Sequence, residues 1–264
     1  MPHVSSAASP QPAKPRGKSK AIDRRWDKNS ASAETAGKIR QRLSRAIPKP
    51  RCELDHENAW QLLIATILSA QSTDRTINRV TPNLFEKWPT AAALAAADRA
   101  EVEEAVKSTG FFRNKAKAIQ ETSRILATEY RGEVPRDLDA MLQLPGVARK
   151  TANVVLGTAY GLATGIVVDT HVRRVAQRLG LSQESDPAKI ETDLCALFAK
   201  RSWIDTGHRL LLHGRYVCLA KAPQCERCVL NEVCRSSEAE PQQTLAARAH
   251  AEQRLVESRD DSLR

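Results

Sequence analysis

The sequence predicts an all-α protein, with length enough for one large or two modest domains. Three observations carry this reading: segments with helical apolar spacing recur along the chain, Gly, Pro and capping residues punctuate them, and no run alternates as a half-buried strand does. The one strand-like stretch, Ile166-Val167-Val168, is too short to found a sheet, and no repeat of solenoid period occurs.

In chain order, residues 1–34 are rich in Ser, Ala, Pro, Lys and Arg without apolar periodicity, and read as a disordered basic extension. Trp60, Leu63, Ile64, Ile67 and Leu68 lie in a run apolar on nearly every side, which predicts a buried helix. Asp98 with Glu101 has the form of a capping box opening a helix that ends near Gly110. Leu138, Met141 and Leu142 have helical spacing, as do Val154, Val155 and Thr158. Between them, Pro145-Gly146 forces a tight turn with Gly146 free to take positive φ. Asp169 reads as the N-cap of a helix carrying Val172, Val175 and Leu179. Asp186-Pro187 places an N-cap and a first-turn proline before Ile190, Leu194, Leu197 and Phe198. Residues 237–264 are polar, with at most a marginal helix around Leu245 to Val256.

The 264 residues carry a formal charge of +10. Residues 1–51 hold thirteen Lys/Arg against Asp23, Asp27 and Glu34, which leaves 28 of each sign in the remainder. The excess is therefore an N-terminal arm, and an arm of this kind suits a polyanion through counterion release from phosphates. No run of 18 apolar residues exists, and Met-Pro-His-Val-Ser-Ser opens no apolar signal region, so the reading is cytoplasmic with no membrane association. The Ser/Ala/Arg/Lys richness of residues 1–34 is shared with organelle transit peptides, against which Asp23 and Asp27 count.

Four of the six cysteines crowd together as C-x6-C-x2-C-x5-C: Cys218, Cys225, Cys228 and Cys234. A reducing compartment disfavours disulfides, and Lys221, Pro223, Gln224, Glu226 and Arg227 make the stretch too polar for packed thiols, so metal binding is favoured. Zinc and a [4Fe–4S] cluster both accept four thiolates, and spacing alone leaves them open. Cys195 lies on the apolar face of its helix and reads as packing.

A helix that starts just after the Pro145-Gly146 turn points unsatisfied N–H groups and its positive dipole end outward, which makes a phosphate seat. Lys150 falls in its first turn, where a cation is disfavoured. An exposed solvent-facing lysine is the bland reading; a nucleophilic amine is the sharper one. An ordinary lysine near pH 7 requires about 4–5 kcal/mol to shed its proton. The dipole, Arg149 and desolvation under a substrate would each favour the neutral amine. Asp169, besides capping, has a second oxygen to offer a reaction centre, while His171 is read as a packed, hydrogen-bonded residue.

The ordered set L-P-G-V-x-R-K-T-A (144–152), V-D-T-H (168–171) and H-G-R-Y-x-C with the cysteine cluster (213–234), together with Leu68-Ser69-Ala70-Gln71-Ser72-Thr73-Asp74, resembles the endonuclease III family of helix–hairpin–helix DNA glycosylases and AP lyases. The resemblance runs from about residue 35 to 236. It implies a six-helix domain over 52–162 and a second domain joining 35–51 to 163–236, which holds a [4Fe–4S] cluster on Cys218, Cys225, Cys228 and Cys234. It further implies catalytic roles for Lys150 and Asp169. DNA contacts are implied for Gln71 (filling the gap left by a flipped nucleotide), for Gly146 and Ala148 in the hairpin, and for Lys221 beside the cluster. The implied substrate is double-stranded DNA carrying oxidised pyrimidines or abasic sites, met by a monomer. The chain departs from the family pattern at Ala148, where Gly is common; ordinary negative φ at a helix start would make alanine harmless there. Lys150 separates the chain from the related adenine-mispair glycosylases. An iron–sulfur redox carrier and a non-catalytic helix–hairpin–helix DNA-binding module are the competing readings, and neither uses Lys150 and Asp169.

Overall fold

The computed structural model describes residues 31–259, and among these every regular element is helical. Of the expected disordered extension, residues 31–34 are already helical; residues 1–30 lie outside the described residues. The first helix, α1 (Ala31–Ala46), begins earlier than its polar sequence suggests because Ala36, Ile39, Leu43 and Ala46 give it one fully buried stripe.

The chain then enters a first hydrophobic core. Helix α2 (Ala59–Leu68) runs through its centre, opened by Asn58, whose side chain accepts the Gln61 N–H at 2.9 Å. Its residues from Trp60 to Leu68 are all buried, so removing any one of the large aliphatics would forfeit about 2–5 kcal/mol of transfer and cavity energy. Around it pack α3 (Asp74–Lys87), α4 (Ala91–Ala96), α5 (Arg99–Ala105), α6 (Phe112–Glu129), α7 (Leu138–Leu142) and α8 (Arg149–Tyr160). With α2 these are seven helices where six were expected, the shortest being α7 with five residues. Asp98 caps α5 through Ala100 and Glu101 N–H, and a 3-10 turn carries the chain on to Gly110. Glu101 does not return the bond of a capping box; its carboxylate pairs with Lys87 at 3.0 Å instead.

A second core forms from α1, α9 (Thr170–Leu179), α10 (Pro187–Leu197), α11 (Trp203–Tyr216) and α12 (Leu245–Ser258), with Val229 and Leu230 of the cysteine-rich segment. Ile166-Val167-Val168 has no regular secondary structure and links α8 of the first core to α9 of the second. Cys195 packs against the second core, where burial pushes its thiol up.

The stretch after residue 236 differs from expectation. Far from a polar tail, α12 docks on α1 and α11 with Arg248 and Glu252 each 1% exposed. Its apolar contributions, Leu245, Ala249 and Val256, pack on the second core but are few, so the helix carries little amphipathic signal, and the buried polar side chains beside them are not revealed by spacing.

Candidate active site and cysteine cavity

The turn before α8 is fixed by three features. Val147 N–H bonds Leu144 O at 3.1 Å across Pro145-Gly146, and Gly146 takes φ +76°. The buried Thr122 of α6 donates to Pro145 O at 2.7 Å. A Cβ on Gly146 would stand 2.9 Å from Ala118 Cβ and 3.3 Å from Ile67 Cγ2, so glycine is needed for both backbone and space. Ala148 is extended at φ −89°, a conformation its methyl tolerates, and no side chain caps α8. The first amides of α8 are thus turned toward an exposed surface, as a phosphate seat requires.

Lys150 is exposed in the first turn of α8. Its neighbour Arg149 is engaged elsewhere: the guanidinium pairs with Glu191 of α10 at 3.0–3.2 Å, and that carboxylate also takes Asn153 Nδ2 at 3.1 Å. Arg149 is therefore committed to Glu191 and does not stand as a free cation beside Lys150. Instead Arg149 and Asn153 fasten α8 to the second core. Gly165 leaves the room for this, since a Cβ there would collide with the Glu191 carboxylate.

Asp169 caps α9, its Oδ1 accepting Val172 N–H at 2.8 Å. Its Oδ2 has no hydrogen-bond partner among the described residues. His171, as expected, is half-buried and packed: its Nδ1 lies 3.3 Å from Arg174, which donates to Gly214 O and Cys218 O. Gly214 lets α9 and α11 approach so closely, as a Cβ would meet His171 and Val175 at 3.0 Å.

A cleft of about 490 Å³ opens between the two cores, and Lys150, Asp169 and Gln71 all line it. Gln71 is exposed in the α2–α3 turn with φ +55°, a strained conformation for a non-glycine residue. At the cleft's base Arg215 pairs with Glu53 and with Asp74 at 2.7 Å, while Tyr216 bonds Glu53. The Gln71-Ser72-Thr73-Asp74 and His213-Gly214-Arg215-Tyr216 motifs thus meet across the cores. Motif order alone could not assign Arg215 that role. Arg51 and Arg173, both exposed, add positive charge to the rim.

Two further groups were not singled out from sequence. His208 lines the cleft with Nε2 3.5 Å from Thr158 Oγ1, and burial lowers its pKa against the opposing pull of Asp205. Phe111, after Gly110, is 67% exposed on a left-handed backbone at φ +47°, immediately ahead of α6.

Cys218, Cys225, Cys228 and Cys234 all line one cavity of about 200 Å³ beneath α9 and α11. Burial and the sulfurs of Cys228, Cys218 and Cys225 push the Cys234 thiol up. Arg178 reaches Cys218 Sγ at 3.2 Å and also bonds Leu219 O and Ala220 O. Lys221 stands exposed on the loop so held and does not line the cleft. Among the described residues no three His, Cys, Asp or Glu side chains converge as ligands of one ion.

Comparison with known proteins decides the relationship. Residues 64–200 match the HhH-GPD superfamily of base excision DNA repair proteins. An endonuclease III of Synechocystis sp. is 49% identical over 212 residues, which covers 80% of this chain and 97% of that protein. The chain belongs to the endonuclease III family. Two solved endonuclease III structures agree, each 44% identical over 76% of this chain. One is a non-covalent DNA complex (TM-score 0.72, 95% of that chain) and the other a trapped covalent DNA intermediate (TM-score 0.71, 96% of that chain). The endonuclease III family relationship thus extends over both cores and the cleft between them.

Proposed function

We propose that this chain excises oxidised pyrimidines from double-stranded DNA and then nicks the strand, with Lys150 as nucleophile and Asp169 as its charged partner. Membership of the endonuclease III family makes it a base excision repair DNA glycosylase with AP lyase activity. The observation that carries the residue assignment is the cleft: it gathers Lys150, Asp169 and Gln71 from three separate sequence motifs.

A base inside a duplex is out of reach, so the target nucleotide is turned out into the cleft. The amides at the start of α8 and the rim residues Arg51 and Arg173 hold phosphates, and Lys221 meets the backbone farther along. Gln71 enters the gap left in the stack. Neutral Lys150 Nζ attacks C1′ as the C1′–N bond breaks, and the departing base takes up a proton. The free Oδ2 of Asp169 stabilises positive charge on the sugar and shuttles the protons released by the amine. The nitrogen lone pair then opens the sugar ring, breaking C1′–O4′ as O4′ takes a proton, and the imine so formed acidifies C2′; loss of that proton expels the 3′ phosphate, and water then frees the lysine.

The four cysteines fit a [4Fe–4S] cluster: all four soft donors line one cavity, a donor set that zinc would also accept, and endonuclease III family membership favours the cluster. Such a cluster would supply a rigid cross-link that shapes the Lys221 loop. No chemical step above passes through it. The protein is read as a monomer, with the cleft complete in a single chain.

The test is borohydride trapping on oxidised-pyrimidine and abasic duplexes. The wild-type chain forms a covalent adduct and Lys150→Gln forms none; Asp169→Asn binds DNA but loses most turnover. Undiminished trapping by Lys150→Gln removes this lysine from the reaction. Salt-sensitive binding without any wild-type adduct would instead favour a non-catalytic binding module.

A further inference from the structure

Helix α12 lies beyond residue 236, where the motif resemblance ends, and its inner face carries buried charged side chains. Arg248 and Glu252, one turn apart, occupy that face. Arg248 Nη1 donates to the backbone carbonyl of Cys228 at 2.5 Å, and Nη2 pairs with Glu232. The same Glu232 carboxylate takes Arg42 of α1, which also donates to Val229 O at 3.1 Å. Glu252 Oε1 lies 2.7 Å from His213 Nδ1, and the other ring nitrogen is 3.6 Å from Cys228 Sγ. Residues 228–232 are therefore gripped from two sides, by α1 and by α12.

These contacts are a poor way merely to hold a helix down. Leu245, Ala249 and Val256 already pack α12 on the second core. A buried arginine and glutamate give less net stability than apolar side chains of similar size. Here Arg248 Nε and Glu252 Oε2 are also buried without hydrogen-bond partners. Charges placed at that expense, on the carbonyl of one cysteine and behind its sulfur, serve the cysteine segment.

We propose that α12 is a clamp on the cluster site, with Arg248 and Glu252 as positioning residues: Arg248 pins the Cys228 backbone and Glu252 orients the His213 ring against the Cys228 sulfur. The clamp keeps the segment closed over the cavity and so slows loss of the bound cluster. This rests on the reading of the four cysteines as cluster ligands.

The experiment uses the full-length holoprotein and follows bleaching of visible absorption and release of iron to excess chelator, with far-UV circular dichroism recorded alongside. Arg248→Met and Glu252→Gln should release iron at least tenfold faster than wild type while helicity is retained. Arg254→Ala, on the exposed face of the same helix, should match wild type. Glu252→Gln should also shift the reduction potential of the DNA-free protein, a readout that loss of packing elsewhere would leave in place. Arg248→Lys, which keeps the charge but not the fork to two acceptors, should fall between wild type and Arg248→Met, and it carries the comparison if Arg248→Met yields no holoprotein. Release within twofold of wild type, or release only in step with helix loss, overturns the clamp. A wild-type protein that purifies without iron and inorganic sulfide overturns the cluster reading itself, a different result from cluster-bearing variants that behave as wild type.

Discussion

Substituting Gly146 by alanine tests how the hairpin seats α8. Two costs arise together. The left-handed φ of +76° costs an L-residue about 1–2 kcal/mol. The new Cβ, 2.9 Å from Ala118 Cβ and 3.3 Å from Ile67 Cγ2, adds about 1–3 kcal/mol of overpacking because both neighbours belong to packed helices. Gly132→Ala is the matched control: φ is +84°, but nothing lies within 4 Å of its Cβ, so only the backbone cost of about 1–2 kcal/mol applies. Urea denaturation of the three proteins therefore orders wild type, Gly132→Ala and Gly146→Ala, with the last lower by about 2–5 kcal/mol in total. Adding Ala118→Gly to Gly146→Ala should recover at least about 1 kcal/mol as coupling between the two sites. The surviving Gly146→Ala protein should also bind duplex more weakly, since the turn positions the amides of α8. If Gly146→Ala costs no more than Gly132→Ala, the tight seat against α2 and α6 is not what holds the hairpin.

Further outcomes follow from the same contacts. Glu191→Gln releases Arg149 and Asn153 and lets α8 shift against the second core; single-turnover rates should fall roughly tenfold, about 1.4 kcal/mol, with KM little changed. Because burial lowers the His208 pKa in the folded chain, the unfolded chain binds more protons, so stability falls as pH drops through about 6.5. The slope from this group reaches at most about 1.4 kcal/mol per pH unit, and His208→Gln should flatten it in urea midpoints collected across that range. A chain starting at Ala31 loses seven Lys/Arg and two Asp; its duplex affinity should fall chiefly at low salt, with a shallower dependence of log K on log salt.

The turn, the caps and the buried helix were legible in the sequence because each rests on local chemistry. Pro145-Gly146, Asp186-Pro187 and Asp169 announce their roles through φ and side-chain reach, and the Trp60 to Leu68 run is apolar all round. What spacing could not reveal were contacts between residues far apart in the chain. Arg149 stands beside Lys150, yet it is paired with Glu191 forty-two positions on. Arg215 reaches across to Glu53 and Asp74, and Arg248 and Glu252 turn a polar segment into a docked helix. A helix whose buried face mixes a few apolar residues with charged ones has no clear apolar stripe to betray it, which is why residues 237–264 read as a tail. Lys150 and Asp169 could be picked out only through the joint motif order, since each alone has a sufficient local explanation as a surface lysine and a helix cap.

The account stands on one bond between Lys150 Nζ and C1′ of the extruded nucleotide. The most direct measurement reduces the wild-type protein with borohydride on a duplex carrying an oxidised pyrimidine, digests the adduct and locates the sugar by mass spectrometry. The deoxyribose remnant should map to the peptide containing Lys150. A remnant on another lysine or on the N-terminal amine would contradict the mechanism.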